Sequence, residues 1–406
     1  MKTVSSNYEE FLDYCRKNND DININPKLER YFSCWSSYQK QFIYHSSSII
    51  IPFTKKLIQI INLPIFNAIA YILPHIINEV VIVGSELKSE EKYVKYVLHY
   101  FSRKCIEFDE FIVRYKMKDK NILLKGYFVN CFVILMGMNI GKIKNFELYD
   151  YLTRLWVITE YIKDNQKNKQ NKPNQKNKYW NECVQFFKGE TVRGFSKRNP
   201  VGKCIAGIKK NCEISIYKKI IKRLRKMFNQ FYNEEREGGE DLGTDDIIKY
   251  NFMKSKMAMN IYIYALDIDQ WKIDVIEGKI KDDEFMKIYD STCCAIKLID
   301  DLTDMRVDYK IGKYNIVNVI EYRVGVINYV IDTFDKYGEQ SKHFIMICMT
   351  LILHYQQKEI NENLNIKCDF INLEKFNFNN TMDLLFNRDF LMKCFKLYSN
   401  HNVLIL

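Results

Sequence analysis

Three carboxylates stand directly after an apolar run in "AIKLIDDLTDMRVDYKIGKYN", Ala295 to Asn315. On a helix, Asp300 and Asp304 are four residues apart and Asp301 and Asp304 three apart, which puts all three on neighbouring turns of one face. Asp308 extends the stripe. Like charges at this spacing repel. A hard divalent cation removes that cost, because Mg²⁺ takes carboxylate oxygen and keeps coordination positions for water and phosphate. A DDxxD cluster that leaves an apolar helix and precedes "IGK" reads as a site for a magnesium-bound diphosphate. The plain alternative is an acidic face neutralised by Lys297, Arg306 and Lys310.

The elements that must position these aspartates read as helices. Apolar residues recur at three- and four-residue spacing in "SEEKYVKYVLHYFSRKCIEFDEFIVRY". "GYFVNCFVILMGM" and "YDYLTRLWVITEYI" are further helices. "ISIYKKIIKRLRKMFNQFY" alternates an apolar stripe, Tyr217, Ile220, Ile221, Leu224, Phe228 and Phe231, with a basic face read as solvated. "TDDIIKYNFMKSKMAMNIYIYAL" opens with an acidic first turn, which suits a helix N-terminus. Lys163 to Trp180 is basic and almost without apolar residues, and reads as an exposed loop. Six prolines and 15 glycines are too few for an all-β fold. The expected fold class is all-α, in one domain, with residues 1–90 an N-terminal helical segment packed on a core of residues 91–406.

The chain has 406 residues and a formal net charge of +11. Lysine, asparagine and isoleucine are abundant enough to reflect base composition, so the charge is not taken to imply a nucleic-acid partner. The twelve cysteines show no metal-ligand spacing. The start has no apolar signal core, and a cytoplasmic protein with reduced thiols is expected. Leu57 to Val83 has the length of a membrane span but holds Gln59, His75, Glu79, Pro64 and Pro74. Such groups are costly in lipid, so no membrane span is expected.

The stretch "AIKLIDDLTDMRVDYKIGKYNIVNVI" resembles the second aspartate-rich motif of the farnesyl diphosphate synthase (trans-isoprenyl diphosphate synthase) family. "KNILLKGYFVNCFVIL" is similar to a degraded GGKxxRG stretch of that family, "RLWVITEYIKDNQKNKQNKP" stands where its first aspartate-rich motif would, and "IIKYNFMKSKMAM" resembles its Lys-Thr helix. The resemblance implies the class I isoprenoid synthase fold, antiparallel helices around a central cavity, and a homodimer. It implies two or three Mg²⁺ ions held by Asp300, Asp301 and Asp304 on one side and by Glu160 and Asp164 on the other. Lys254 and Lys313 would contact and activate an allylic diphosphate. Lys125, Lys169 and Lys297 would be further diphosphate contacts, and Leu155 and Trp156 would line the cavity floor.

The departures from that pattern are uneven. The first motif reads "EYIKD", with tyrosine at its second position. Lys169, Gln170 and Asn171 replace an Arg-Arg-Gly, and lysine lacks the bidentate fork that suits diphosphate. The allylic side is retained and the isopentenyl side eroded. The resemblance therefore implies an enzyme that ionises geranyl or farnesyl diphosphate without an acceptor, a terpene synthase derived from a prenyl diphosphate synthase, as insect-type enzymes are. A divergent prenyltransferase condensing with isopentenyl diphosphate and a non-catalytic relative are the alternatives.

Overall fold

The computed structural model describes residues 142–167, 178–231 and 244–310, with single residues and short runs among 11–17 and 100–130, and residues 329 and 332. At 164–167, 231, 244–248, 295, 299 and 302–310 it describes backbone alone. Of the described residues 82% are helical and 3% are in strands, so the all-α class holds. The elements are β1 (Lys142–Ile143), α1 (Phe146–Lys167), α2 (Lys178–Lys188), α3 (Phe195–Arg198), α4 (Pro200–Lys210), α5 (Ile214–Phe231), α6 (Thr244–Tyr262), a 3₁₀ turn (Ile263–Ala265), β2 (Leu266–Asp267), α7 (Gln270–Ile276) and α8 (Asp283–Lys310).

The chain forms two compact units. One comprises Met1–His99, Ile247–Lys249 and Cys294–Leu406, the other Tyr100–Asp246 and Tyr250–Cys293. In the first, chain segments far apart in sequence meet: Phe11 packs edge-on to Tyr329 at 4.8 Å between ring centroids, and the Tyr14 hydroxyl donates to Asp332.

The second unit is built on α1. Asn145 starts it, accepting from the Leu148 amide at 3.0 Å and donating to the Asn211 carbonyl at 2.6 Å. Glu147 lies in the first turn, where a negative charge suits the helix dipole. Leu148, Tyr149, Leu152, Leu155, Ile158 and Ile162 are buried along one stripe. α4 packs closely on α1 because it is small at the contact: a Cβ on Gly207 would fall 2.3 Å from the Tyr151 ring. A Cβ on Gly202 would meet the Phe195 carbonyl oxygen at 2.2 Å.

Asn199 fixes the entry to α4. Its side-chain oxygen accepts from the amides of Val201 and Gly202 at 3.0 and 3.4 Å, and Pro200 opens the helix without needing an amide partner. Its amide group donates to the Tyr179 carbonyl and to Glu182 on α2, at 2.9 and 3.1 Å. One buried side chain thus ties two helices and caps one of them.

Several sequence expectations have direct outcomes. α5 runs Ile214–Phe231 with Ile220, Ile221, Leu224 and Phe228 buried, and α6 starts at Thr244. The stretch expected as a loop from Lys163 to Trp180 is helical at both ends, to Lys167 and from Lys178. Lys163 is buried, since a lysine stem extends an apolar stripe while its head stays near water. The six described cysteines are free. Among the described residues no helix is long and apolar enough to cross a membrane; the run from Leu57 to Val83 lies outside them.

α5 and α7 are joined by charge. Glu277 accepts from Lys279 at 2.7 Å, from Lys219 at 3.0 Å and from the Tyr264 hydroxyl at 2.7 Å. Burial pushes the Glu277 carboxyl up, but these hydrogen bonds outweigh it and hold its pKa at about 2. In the unfolded chain the group titrates near 4.5. Between those values the unfolded state binds the extra proton, so stability falls as pH falls. The stability advantage of wild type over Glu277→Gln is expected to be constant above about pH 5.5 and to shrink as pH drops from 4.5 toward 2. Urea unfolding of both proteins at several pH values checks this; a gap unchanged down to about pH 3 contradicts it.

Candidate functional site

α1 and α6 lie antiparallel. The Tyr149 and Tyr262 rings meet at one end, 5.1 Å between centroids, and Glu160 and Lys254 at the other, with Lys254 Nζ 3.1 Å from Glu160 Oε1. Lys254 Nζ also lies 6.0 Å from the Trp156 ring centroid, at the outer range of a cation–π contact. Trp156 is one turn before Glu160 on α1, and Ala258 is one turn after Lys254 on α6. Both line an apolar cleft together with Leu155, Leu224, Phe228 and Tyr262. The ion pair therefore stands at one end of that cleft. α6 is held by α8: Lys256 pairs with Asp290 at 2.6 Å, the Ser255 hydroxyl donates to the Cys293 carbonyl at 3.1 Å, and the Tyr289 hydroxyl donates to Asn260 at 2.7 Å.

Four of the expected site residues, Leu155, Trp156, Glu160 and Lys254, are thus brought together although Lys254 lies far from the others in sequence. The cleft itself is narrow. Its volume is about 20 Å³, room for roughly one water molecule. Pockets that enclose small-molecule ligands span about 300–1,000 Å³.

The aspartates of the other unit have a cation of their own. Lys297 Nζ lies 2.7 Å from Asp300 Oδ2 and 2.6 Å from Asp301 Oδ1. Asp301 is 1% exposed, whereas the Asp300 side chain is 60% exposed. Burial alone would lower the Lys297 pKa, but the two carboxylates outweigh it and hold the ammonium well above its ordinary value. Two carboxylate oxygens that converge on one ammonium can reach a common cation, and oxygen donors are what Mg²⁺ takes. The donor chemistry therefore fits the metal, with Lys297 standing where the two oxygens meet. Among the described residues no group of three or more metal-ligating side chains is assembled. Asp304 lies one turn further along α8 and Asp164 one turn beyond Glu160 on α1; both are described in backbone only. Lys125, Lys169 and Lys313 lie outside the described residues.

Sequence reading missed a buried charge cluster in the second unit. Arg154 Nε donates to Asp150 Oδ1 at 2.9 Å, and the Tyr127 hydroxyl donates to the same oxygen. Lys104 pairs with Glu107 at 2.8 Å and Glu147 at 2.9 Å. Arg154 lies over the Phe108, Tyr151 and Tyr127 rings at 5.5 to 5.9 Å. The signal was present in "YDYLTRL": an Asp and an Arg four apart within an apolar helix form a same-face ion pair. No protein-family model, curated protein or solved structure matches this chain.

Removing the ammonium between the aspartates has a readable consequence. Lys297→Met leaves buried Asp301 without that cation and is expected to cost about 2–3 kcal/mol of stability, below the usual range for a fully buried pair because Lys297 is partly exposed. If the carboxylates accept a metal, millimolar Mg²⁺ raises the melting temperature of this variant well above its effect on wild type. An equal Mg²⁺ effect on both proteins means that Asp300 and Asp301 take no metal.

Proposed function

We propose that this chain binds a short allylic diphosphate, geranyl or farnesyl, with Mg²⁺ and ionises it, acting as a terpene synthase with a class I isoprenoid synthase architecture. The supporting observation is the meeting of Glu160 and Lys254 at the end of an apolar cleft that Leu155 and Trp156 line. The motif resemblance assigns those residues to such a substrate on independent grounds.

In this reading the Lys254 ammonium leaves Glu160 for the diphosphate, where it offsets charge that develops on the leaving group. The Trp156 ring faces a cation already and can stabilise the allylic cation in the same way. Leu155, Leu224 and Phe228 exclude water from that cation. Asp300, Asp301 and Asp304 would offer carboxylate oxygen to Mg²⁺, as Glu160 and Asp164 would in the other unit, and the metal when bound would supply further charge neutralisation to a diphosphate. The cleft has to open to admit a ten- or fifteen-carbon chain, by movement of α5 against α1 and α6.

A second reading has its own support. A cleft with room for about one water molecule, and a lysine on each described carboxylate of the two motifs, favour a non-catalytic relative that binds a ligand or partner. Product analysis separates these. Purified protein with Mg²⁺ and geranyl or farnesyl diphosphate is expected to release a hydrocarbon or alcohol without isopentenyl diphosphate. Lys254→Met is expected to lower turnover by about 10²–10³ fold, and Asp300→Ala to abolish it while sparing the fold, since that carboxylate faces solvent. A longer diphosphate formed only with isopentenyl diphosphate replaces the reading with a prenyltransferase. Folded protein without turnover on either substrate replaces it with the non-catalytic reading.

A further inference from the structure

The charge of the chain is unevenly placed. The whole molecule carries +11, and residues 178–231, the span of α2 to α5, carry fourteen Lys and Arg against only Glu182, Glu190 and Glu213, a net of +11 as well. The remainder of the chain is balanced. Base composition would scatter lysine everywhere, so it does not account for this concentration.

The excess is exposed and largely uncompensated. Lys218, Lys222 and Lys226 form an exposed row along α5, and Lys203 and Lys210 a second along α4. The two helices are linked at Lys209, whose ammonium lies 5.9 Å from the Tyr217 ring. Among the described residues only Lys219 and Arg223 of this span pair with a carboxylate, and both use Glu277. Glu182 is buried and bound to Asn199. Like charges at four-residue spacing cost stability, so the arrangement is one that an external anion relieves.

We propose that the α2–α5 surface docks on the headgroup plane of an anionic membrane. Three observations favour a lipid plane over a nucleic acid. The exposed cations are mostly lysines, point charges without the fork that reads phosphate or base edges. No described aromatic residue of α2 to α5 is exposed, so there is no platform on which bases stack. Ile214, at the start of α5 beside these lysines, is 59% exposed, and a bilayer interface accommodates an apolar side chain where a phosphate backbone does not. Each lysine near a negatively charged leaflet adds to the attraction, and salt screens it. The proposal stands independently of the reading of the cleft.

Co-sedimentation of the full chain with phosphatidylcholine vesicles, with and without about 30% phosphatidylserine, tests it. Binding is expected only with phosphatidylserine, and to vanish between about 0.05 and 0.5 M salt. A variant with Lys203, Lys210, Lys218, Lys222 and Lys226 changed to Gln is expected to bind at least about tenfold more weakly, with a circular-dichroism melt no lower than that of wild type. A control with Lys116, Lys118, Lys144, Lys281 and Lys287 changed to Gln has the same net charge and is expected to bind like wild type. Binding indifferent to phosphatidylserine, or equal loss in both variants, overturns the proposal. So does a duplex RNA that displaces the protein from vesicles and itself depends on the same five lysines.

Discussion

A guanidinium and a carboxylate one helical turn apart, Arg154 and Asp150, anchor the second unit. Both are almost wholly buried, and burial raises the Asp150 carboxyl even with Arg154 beside it. Taking two charges out of water costs several kcal/mol each. That cost is offset only while the surrounding partners stay in place: Tyr127 on Asp150, the Lys104 carbonyl accepting from Arg154 at 3.4 Å, and three aromatic faces around the guanidinium. Losing either charge leaves the other buried alone, which typically costs about 3–5 kcal/mol. The pair therefore fixes the rotation of α1 about its axis. Leu155, Trp156 and Glu160 then face α5 and α6 because Asp150 and Arg154 face the helical residues at 103–114.

From that orientation the rest of the candidate site follows. α1 and α6 run antiparallel, so an apolar turn, Trp156 against Ala258, precedes a charged turn, Glu160 against Lys254. An amphiphile with an anionic head and a hydrocarbon tail asks for that order of surfaces. Phe228, stacked on Phe187 at 4.6 Å between centroids, fills the wall of the cleft, and Lys254 and Glu160 compensate each other at its end. Lys297 does the same for Asp300 and Asp301. In each unit the described carboxylates of the motif are thus compensated by a lysine.

Helix identities were legible in the sequence where one face is plainly apolar. α5 needed only the spacing of Ile220, Leu224 and Phe228, and α6 only the acidic turn after a glycine-rich stretch. The boundary at Lys163 was misread because composition was used in place of periodicity: Ile158 and Ile162 continue the buried stripe of α1, and a lysine can follow them. The neutralisation of the aspartates by Lys297 was legible as an i,i+3 and i,i+4 pattern. What was not legible was the wall that α5 supplies to the cleft, since a stripe that packs on α1 looks the same as one that packs anywhere else. Of the buried cluster around Arg154 only the pair with Asp150 was legible, as a four-residue spacing; Lys104, Glu107 and Tyr127 come from segments whose packing partners no local pattern names.

The central claim is that the cleft between α1, α5 and α6 takes an isoprenyl diphosphate with its head at Lys254. Hydrogen exchange of the chain with Mg²⁺, with and without a non-ionising farnesyl thiodiphosphate, tests that claim without requiring turnover. The account predicts slower exchange in α1 around Leu155–Glu160 and in α6 around Lys254–Ala258. Unchanged exchange at both, in protein that remains folded, would contradict it.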